Sequence, residues 1–314
     1  MTDPHLAEVI SERRQLINLA YRLLGSLAEA EDVAQETYTR WYALSERQRE
    51  AIASPGAWMT TVASRICLDL LGSARARREH YVGDWIPEPV PGGWLDGTGP
   101  APADPADRVT LDESISMAFL VVLDSMTPAE RVSFVLHDIF RYTFAEIADV
   151  VGRTPGACRQ LASNARRRID TSRARAGAER ADLVRKFKQA WESRDIEALV
   201  GLLDPEAIAT ADGGGLALAF LEPISGAEQI ADAWMEIAAH APPATLLECS
   251  VNGQPGLVGK VAGTAVSVYA FDIADGRITR IWAVRNPEKL RPWGAGFNRV
   301  AATPTTQARH QERP

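Results

Sequence analysis

Two arginine-bearing stretches offer most of the chemistry in this sequence. Seven arginines and one aspartate lie between Arg153 and Arg175, and four arginines with one aspartate between Arg65 and Arg78. A guanidinium forks onto phosphate oxygens and base edges, so clusters of this kind suit a polyanion. In the first cluster Arg159, Gln160, Ser163, Asn164, Arg166 and Arg167 fall on the outward side of a helical pattern. In the second, Arg65, Arg75, Arg77 and Arg78 supply cations for a backbone, and Trp58 an aromatic plane for an unstacked base. A solvated helix face is the plainer alternative for both, and Trp58, four residues before Val62, equally suits a core position. Catalytic chemistry is weakly represented. Asp212, His240, Glu248 and Asp272 are candidate acids or bases, but they form no recognisable pair and no metal-ligand spacing. Cys67, Cys158 and Cys249 are odd in number, lie far apart and include no CxxC. No catalytic residue, metal or cofactor is assigned.

The elements that must carry these groups follow from periodicity and punctuation. Residues 6–24 place Leu16, Leu19, Ala20, Leu23 and Leu24 on one helical face before Gly25 stops the helix. Residues 28–45 repeat the pattern with Ala30, Val33, Ala34, Thr37, Trp41 and Leu44, and leave Asp32, Gln35 and Glu36 on the opposite face. Ser54-Pro55-Gly56 opens a third helix over 57–73 that runs on to Arg78. Farther on, Thr127-Pro128-Ala129-Glu130 combines an N-cap, a proline at the first helical position and a capping-box glutamate. A short helix, 144–151, is followed by Gly152, the cap Thr154 and a second helix from Pro155 to about Ile169. Small Ala148 before the turn and apolar Cys158 after it complete a helix-turn-helix spacing. After a helix over 177–192, the pattern reads short helix, loop, helix (226–240) and then strands at 244–251, 256–261, 265–273 and 277–284.

Composition bounds the rest. A chain of 314 residues makes two or three domains, and 46% hydrophobic with 24% charged residues is globular composition. No apolar run reaches the ~18–20 residues of a membrane span, and the N-terminus lacks a signal peptide, so a cytoplasmic protein without membrane contact is expected. The net charge of −7 conceals the basic clusters: residues 1–176 hold 20 Arg and no Lys against 24 acids, and residues 177–314 hold 14 bases against 17 acids. Six prolines and five glycines in residues 79–110 exclude a continuous helix and predict an extended linker.

AYRLLGSLAEAEDVAQETYTRWY (20–42) resembles region 2 of bacterial RNA polymerase sigma factors, and TPAERVSFVLHDIFRYTFAEIADVVGRTPGACRQLASNARRRI (127–169) resembles region 4. A chain with these two regions alone resembles the extracytoplasmic-function (ECF) class. WIPEPV (85–90), DGGG (212–215) and NPEKL (286–290), which carries Glu288 where the subgroup usually has Asp, resemble the ECF subgroup with a fused SnoaL-like domain.

The resemblance implies a multidomain fold: two all-α sigma domains, a helical bundle (1–80) and a helix-turn-helix unit (111–176), joined by the linker 81–110, then an α+β SnoaL/NTF2-like cone (177–295) and a flexible tail (296–314). It implies core RNA polymerase and promoter DNA as partners, with contacts to the β′ clamp and the β flap. Asp32, Gln35 and Glu36 would meet the clamp; Trp58, Arg65, Arg75, Arg77 and Arg78 the −10 element; Arg159, Gln160, Asn164, Arg166 and Arg167 the −35 element. Many ECF proteins have Asn where this chain has Arg65. Trp85, Ile86 and Pro87 in the linker, Asp212, Gly213, Gly214 and Gly215, and Asn286, Pro287, Glu288, Lys289 and Leu290 would form an interdomain regulatory contact, acting in cis. An unknown small ligand in the cone, a ligand-responsive helix-turn-helix regulator, and a SnoaL-like cyclase or isomerase fused to a DNA-binding module stay open as alternatives.

Overall fold

Short polar side chains start many of the helices, and glycine ends some of them. In the computed structural model, which describes residues 4–78, 81–92, 115–169, 177–240 and 244–294, α1 (Pro4–Leu24) closes on Gly25 at φ 70°. Ser26 then caps α2 (Leu27–Ala43), its hydroxyl accepting from the Glu29 amide at 3.3 Å. A capping box of Ser45 and Gln48 starts the short α3 (Glu46–Glu50), a turn the periodicity did not reveal. The third long helix is α4 (Pro55–Arg78). Leu19, Leu23, Val33, Ala63 and Cys67 are among the residues these helices bury together.

The second helical module holds α5 (Met117–Asp124), α6 (Pro128–Phe134), a π-helical turn (Val135–Ile139), α7 (Phe144–Val151) and α8 (Pro155–Ile169). Thr127 with Glu130 and Thr143 with Glu146 form complete capping boxes. Gly152 adopts the left-handed conformation (φ 68°) between α7 and α8, and Ile147, Ala148, Cys158, Ala162 and Ala165 are buried where those helices touch. The π turn was not anticipated. It sets His137 on the Phe144 ring, with centroids 4.1 Å apart.

Both helical modules contribute to one apolar core. Arg131 of α6, 3% exposed, joins them: it donates to the Leu23 carbonyl at the end of α1 at 2.8 Å and to Asp124 at 2.8 Å. An arginine at a helix C-terminus meets otherwise unpaired carbonyls and the negative end of the dipole.

The C-terminal unit contains α9 (Gly177–Ser193), α10 (Ile196–Leu202), β1 (Leu203–Asp212), β2 (Ile224–Ser225), α11 (Ala227–His240), β3 (Thr245–Val251), β4 (Gln254–Val261), β5 (Thr264–Ala274) and β6 (Arg277–Val284). The sheet order is β2-β1-β6-β5-β4-β3, antiparallel except for β1 beside β6. The sequence pattern marks no strand over 203–212, where the structure has β1. Pro205 and a register shift between Leu203 and Ile208 interrupt the alternation that marks a strand. Leu257, Tyr269, Phe271, Ile281 and Ala283 pack into a core with the helices. Their neighbours Val258, Val268, Ala270, Trp282 and Val284 face the other way and form a further core with Ile86 and Met117. Successive strand residues point to opposite faces, so residues 268–271 of β5 and 281–284 of β6 are apolar without interruption because both faces are covered there.

Candidate functional site

Residues 81–92 form an extended strap between the first helical module and the outer face of the sheet, with Ile86 2% and Val90 1% exposed. Asp212, fully buried at the end of β1, is the anchor. Its Oδ1 accepts from the Tyr81 hydroxyl at 2.7 Å; its Oδ2 accepts from the Ile86 amide at 3.0 Å and from Lys289 Nζ at 2.6 Å. Lys289 also donates to the Ile86 carbonyl at 2.5 Å and lies over the Trp85 ring, 4.2 Å from its centroid, and the Tyr81 ring at 5.1 Å. Asn286 donates to the Tyr81 hydroxyl at 2.8 Å and accepts from the Glu288 amide at 3.0 Å. Burial, followed by the adjoining Asp212 carboxylate, raises the Tyr81 hydroxyl well above the usual phenol range. A Cβ on Gly214, at φ 58°, would collide with Asn286 and Tyr81, so that turn requires glycine for its backbone and for space. Leu290 joins the core beneath Ile86, and Trp293 Nε1 donates to the Pro89 carbonyl at 2.7 Å.

The strap's other side rests in the corner between α1 and α2. A Cβ on Gly25 would lie 2.8 Å from the Trp85 ring and 3.3 Å from Pro87. Glu88 accepts from Ser26 Oγ at 2.8 Å and the Leu27 amide at 2.7 Å, and its own amide donates to the Gly25 carbonyl at 2.8 Å. The Tyr21 hydroxyl donates to the Glu88 carbonyl at 2.6 Å and accepts from Asn252 Nδ2 at 2.7 Å. Asn252 exchanges bonds with Val90, donating from its amide at 2.8 Å and accepting at Oδ1 at 3.1 Å. Tyr81, Asn252 and Trp293 carry no sequence signal for this site, Tyr21 and Glu88 stand in the sequence only inside the quoted motifs, and Gly25 only as a helix stop. Asn252-Gly253 is legible as a two-residue hairpin, with φ 51° and 72°, but nothing local tells that the asparagine side chain crosses to α1.

The polymerase candidates lie on α2 and the nucleic-acid candidates on α4 and α8. On α2, Asp32, Gln35 and Glu36 are exposed, and Glu36 pairs with Arg40 at 2.8 Å. On α4, Trp58 is half-buried against Trp41, with centroids 5.3 Å apart, and Arg65 donates to the Asp149 carbonyl on α7 at 2.8 Å. The side chains of Arg75, Arg77 and Arg78 lie outside the described residues. On α8, Arg159 is exposed and stacks over Phe144 at 5.2 Å, while Gln160 and Arg167 converge on Asn164 Oδ1 at 3.0 and 2.5 Å. Arg166 turns inward to Asp138 at 2.8 Å and His137 Nδ1 at 3.1 Å.

The acid-base candidates do not converge. Asp212 is spent on the strap, Glu248 pairs with Arg185 at 3.5 Å, Asp272 pairs with Arg180 at 3.5 Å, and the His240 side chain lies outside the described residues. Phe187, Trp191, Trp234, Tyr269 and Phe271 fill the space between sheet and helices, with neighbouring ring centroids 5.2–6.4 Å apart. Trp234 Nε1 is buried there without a partner among the described residues.

The comparisons with known proteins follow the same division. Residues 9–77 match the model of Sigma-70 region 2 and residues 116–169 that of Sigma-70, region 4. The ECF RNA polymerase sigma factor SigJ of Mycobacterium tuberculosis is 34% identical, over 97% of this chain and 98% of its own. The chain belongs to the ECF RNA polymerase sigma factor family. A probable ECF sigma factor of the same organism, SigI, is 35% identical over 92% of this chain and 96% of its own. The crystal structure of the M. tuberculosis sigma factor SigJ superposes on this ECF sigma factor with a TM-score of 0.71 at 32% identity, covering 91% of this chain and 98% of that one. This ECF sigma factor is therefore a promoter-specificity subunit for transcription initiation, built of two helical sigma units and an α+β unit. Among its described residues no helix is long and apolar enough to cross a membrane.

Proposed function

We propose that the arrangement is a closed, cis-inhibited state of a cytoplasmic sigma factor that catalyses nothing itself. In the open state Asp32, Gln35 and Glu36 meet the β′ clamp, region 4 meets the β flap, α4 opens and reads the −10 element with Trp58, Arg65, Arg75, Arg77 and Arg78, and α8 reads the −35 element with Arg159, Gln160, Asn164 and Arg167. The observation that carries this reading is the Arg65–Asp149 hydrogen bond at 2.8 Å: the −10 helix is held by the helix-turn-helix unit. Promoter elements roughly 18 base steps apart are separated by ~60 Å of duplex. Two modules that share one core cannot reach both. The linker's 30 residues (81–110) average ~30 Å as relaxed coil and reach ~93 Å when stretched. The C-terminal unit holds the first residues of that linker through Asp212 and Lys289, with Gly213, Gly214, Gly215, Asn286, Pro287, Glu288 and Leu290 shaping the seat. A tethered contact of this kind sees a millimolar effective concentration, so its release is a matter of competition with polymerase.

Run-off transcription with limiting core enzyme tests the reading. Lys289→Met leaves Asp212 with its cation gone, a loss of ~3 kcal/mol for a buried pair, and should raise output from the cognate promoter, as should a chain ending at residue 176. Equal output from all three proteins at every core concentration would remove the inhibitory role and leave the sigma function standing.

A further inference from the structure

Asp212 and Lys289 tie the C-terminal unit to the strap alone. The contacts at Glu88 reach farther, because they end on region 2 itself. Glu88 is 8% exposed, and both carboxylate oxygens are used at the start of α2, on Ser26 Oγ and the Leu27 amide. Ser26 keeps its own capping bond to Glu29, so the strap adds a second acceptor to a helix start that already has one. The depth of Glu88 in this corner is set by Tyr21, fully buried, whose hydroxyl receives Asn252 of the β3–β4 turn and gives its proton to the Glu88 carbonyl. Asn252 is fully buried too, and its backbone N–H and its Oδ1 both go to Val90 of the strap. One continuous chain of hydrogen bonds thus runs from the C-terminal sheet through α1 and the strap to the first turn of α2. That helix presents Asp32, Gln35 and Glu36 one to two turns farther on.

We propose that Glu88 is a positioning residue that couples the C-terminal unit to the polymerase-binding helix: the Tyr21–Asn252 pair seats its carboxylate as a second, removable cap on α2, and the cap is withdrawn when the strap leaves. This rests on the sigma reading of α2 but is tested on the free chain. The coupling is carried by two polar atoms, the Tyr21 hydroxyl and the Asn252 amide, so deleting either should loosen Glu88 although, among the described residues, neither atom hydrogen-bonds to α2.

Amide hydrogen exchange at Leu27 reads the cap, in the full-length chain without polymerase. Tyr21→Phe keeps the buried ring and removes only the hydroxyl. Asn252→Gly keeps the positive φ of the turn and removes only the side chain. A hydrogen bond of about 1 kcal/mol corresponds to a ~5-fold change in an opening equilibrium. Each variant should speed Leu27 exchange by about that factor, and the double variant should be no faster than the more affected single one, since both cut the same chain. Unchanged Leu27 exchange in Asn252→Gly, or effects of the two that multiply, would overturn the proposal. Run-off transcription by the same variants separates the outcomes: initiation with an unresponsive Leu27 leaves the sigma reading intact and the coupling refuted.

Discussion

At the level of single residues, burial raises the Glu88 carboxyl above the ordinary glutamate range. Hydrogen bonds from Ser26 and Leu27 and the Lys289 ammonium act against this rise, and Glu29 on α2 adds to it. A carboxyl whose value is higher when the strap is docked than when it is free binds its proton more tightly in the docked state. Its contribution to docking is present in full below the free value and is lost as pH rises through the docked one. Glu88→Gln has no charge to bury, and its amide still places one acceptor on Leu27 N–H and one donor on Ser26 Oγ. Urea unfolding of the two proteins between pH 5 and 8 should therefore show the glutamine variant gaining on the wild type as pH rises. A difference independent of pH would mean that Glu88 keeps its free value on docking. The residue types here were partly legible. Asp212, Lys289 and Trp85 stood in quoted motifs, whereas Tyr21 and Asn252 looked like a core aromatic and a turn residue, because their roles depend on partners 67 and 231 positions away.

Helices α7 and α8 could be read from local rules. Thr143, Glu146, Gly152, Thr154 and Pro155 each do what their chemistry predicts at a helix end. What the pattern could not supply is the direction of each arginine on α8. Arg166 and Arg167 are adjacent, yet the first braces the π turn through Asp138 and the second stays exposed beside Asn164. Their substitutions should separate. Arg166→Ala leaves Asp138 without its cation and should destabilise the second module by ~1 kcal/mol in urea unfolding. Arg167→Ala should leave stability within ~0.5 kcal/mol, weaken promoter binding by the holoenzyme and, if it meets a phosphate, reduce the salt slope by about one. The reverse assignment of the two effects would show that α8 turns its other side to DNA. Strand β1 went unread for the opposite reason: its pairing with β6 is parallel, long-range and interrupted near Pro205, so no local signal survives.

For the whole molecule, the decisive feature is that the sheet has no bare face. Val258, Val268, Trp282 and Val284 are covered by Ile86, Met117 and their neighbours, which belong to the strap and to region 4. Burying one such side chain contributes ~1.5–3 kcal/mol, so the docking of the units is a core contact and not a loose tether. Separately expressed residues 177–294 should consequently bind an apolar dye or self-associate, whereas the full chain should do neither; light scattering and dye fluorescence would distinguish them. An isolated unit that is monomeric and dark to the dye would mean that the sheet's outer face closes on its own.

Local chemistry sufficed for the helices, their caps, the helix-turn-helix spacing, the basic clusters and the motifs that mark the family, since each rests on residues a few positions apart. The packing of the three units against one another rests on pairings across the chain: Arg65 on Asp149, Arg131 on Leu23, Lys289 on Asp212 and Tyr21 between Glu88 and Asn252. A buried polar group must find a partner wherever the fold brings one, and only three-dimensional packing decides which partner that is.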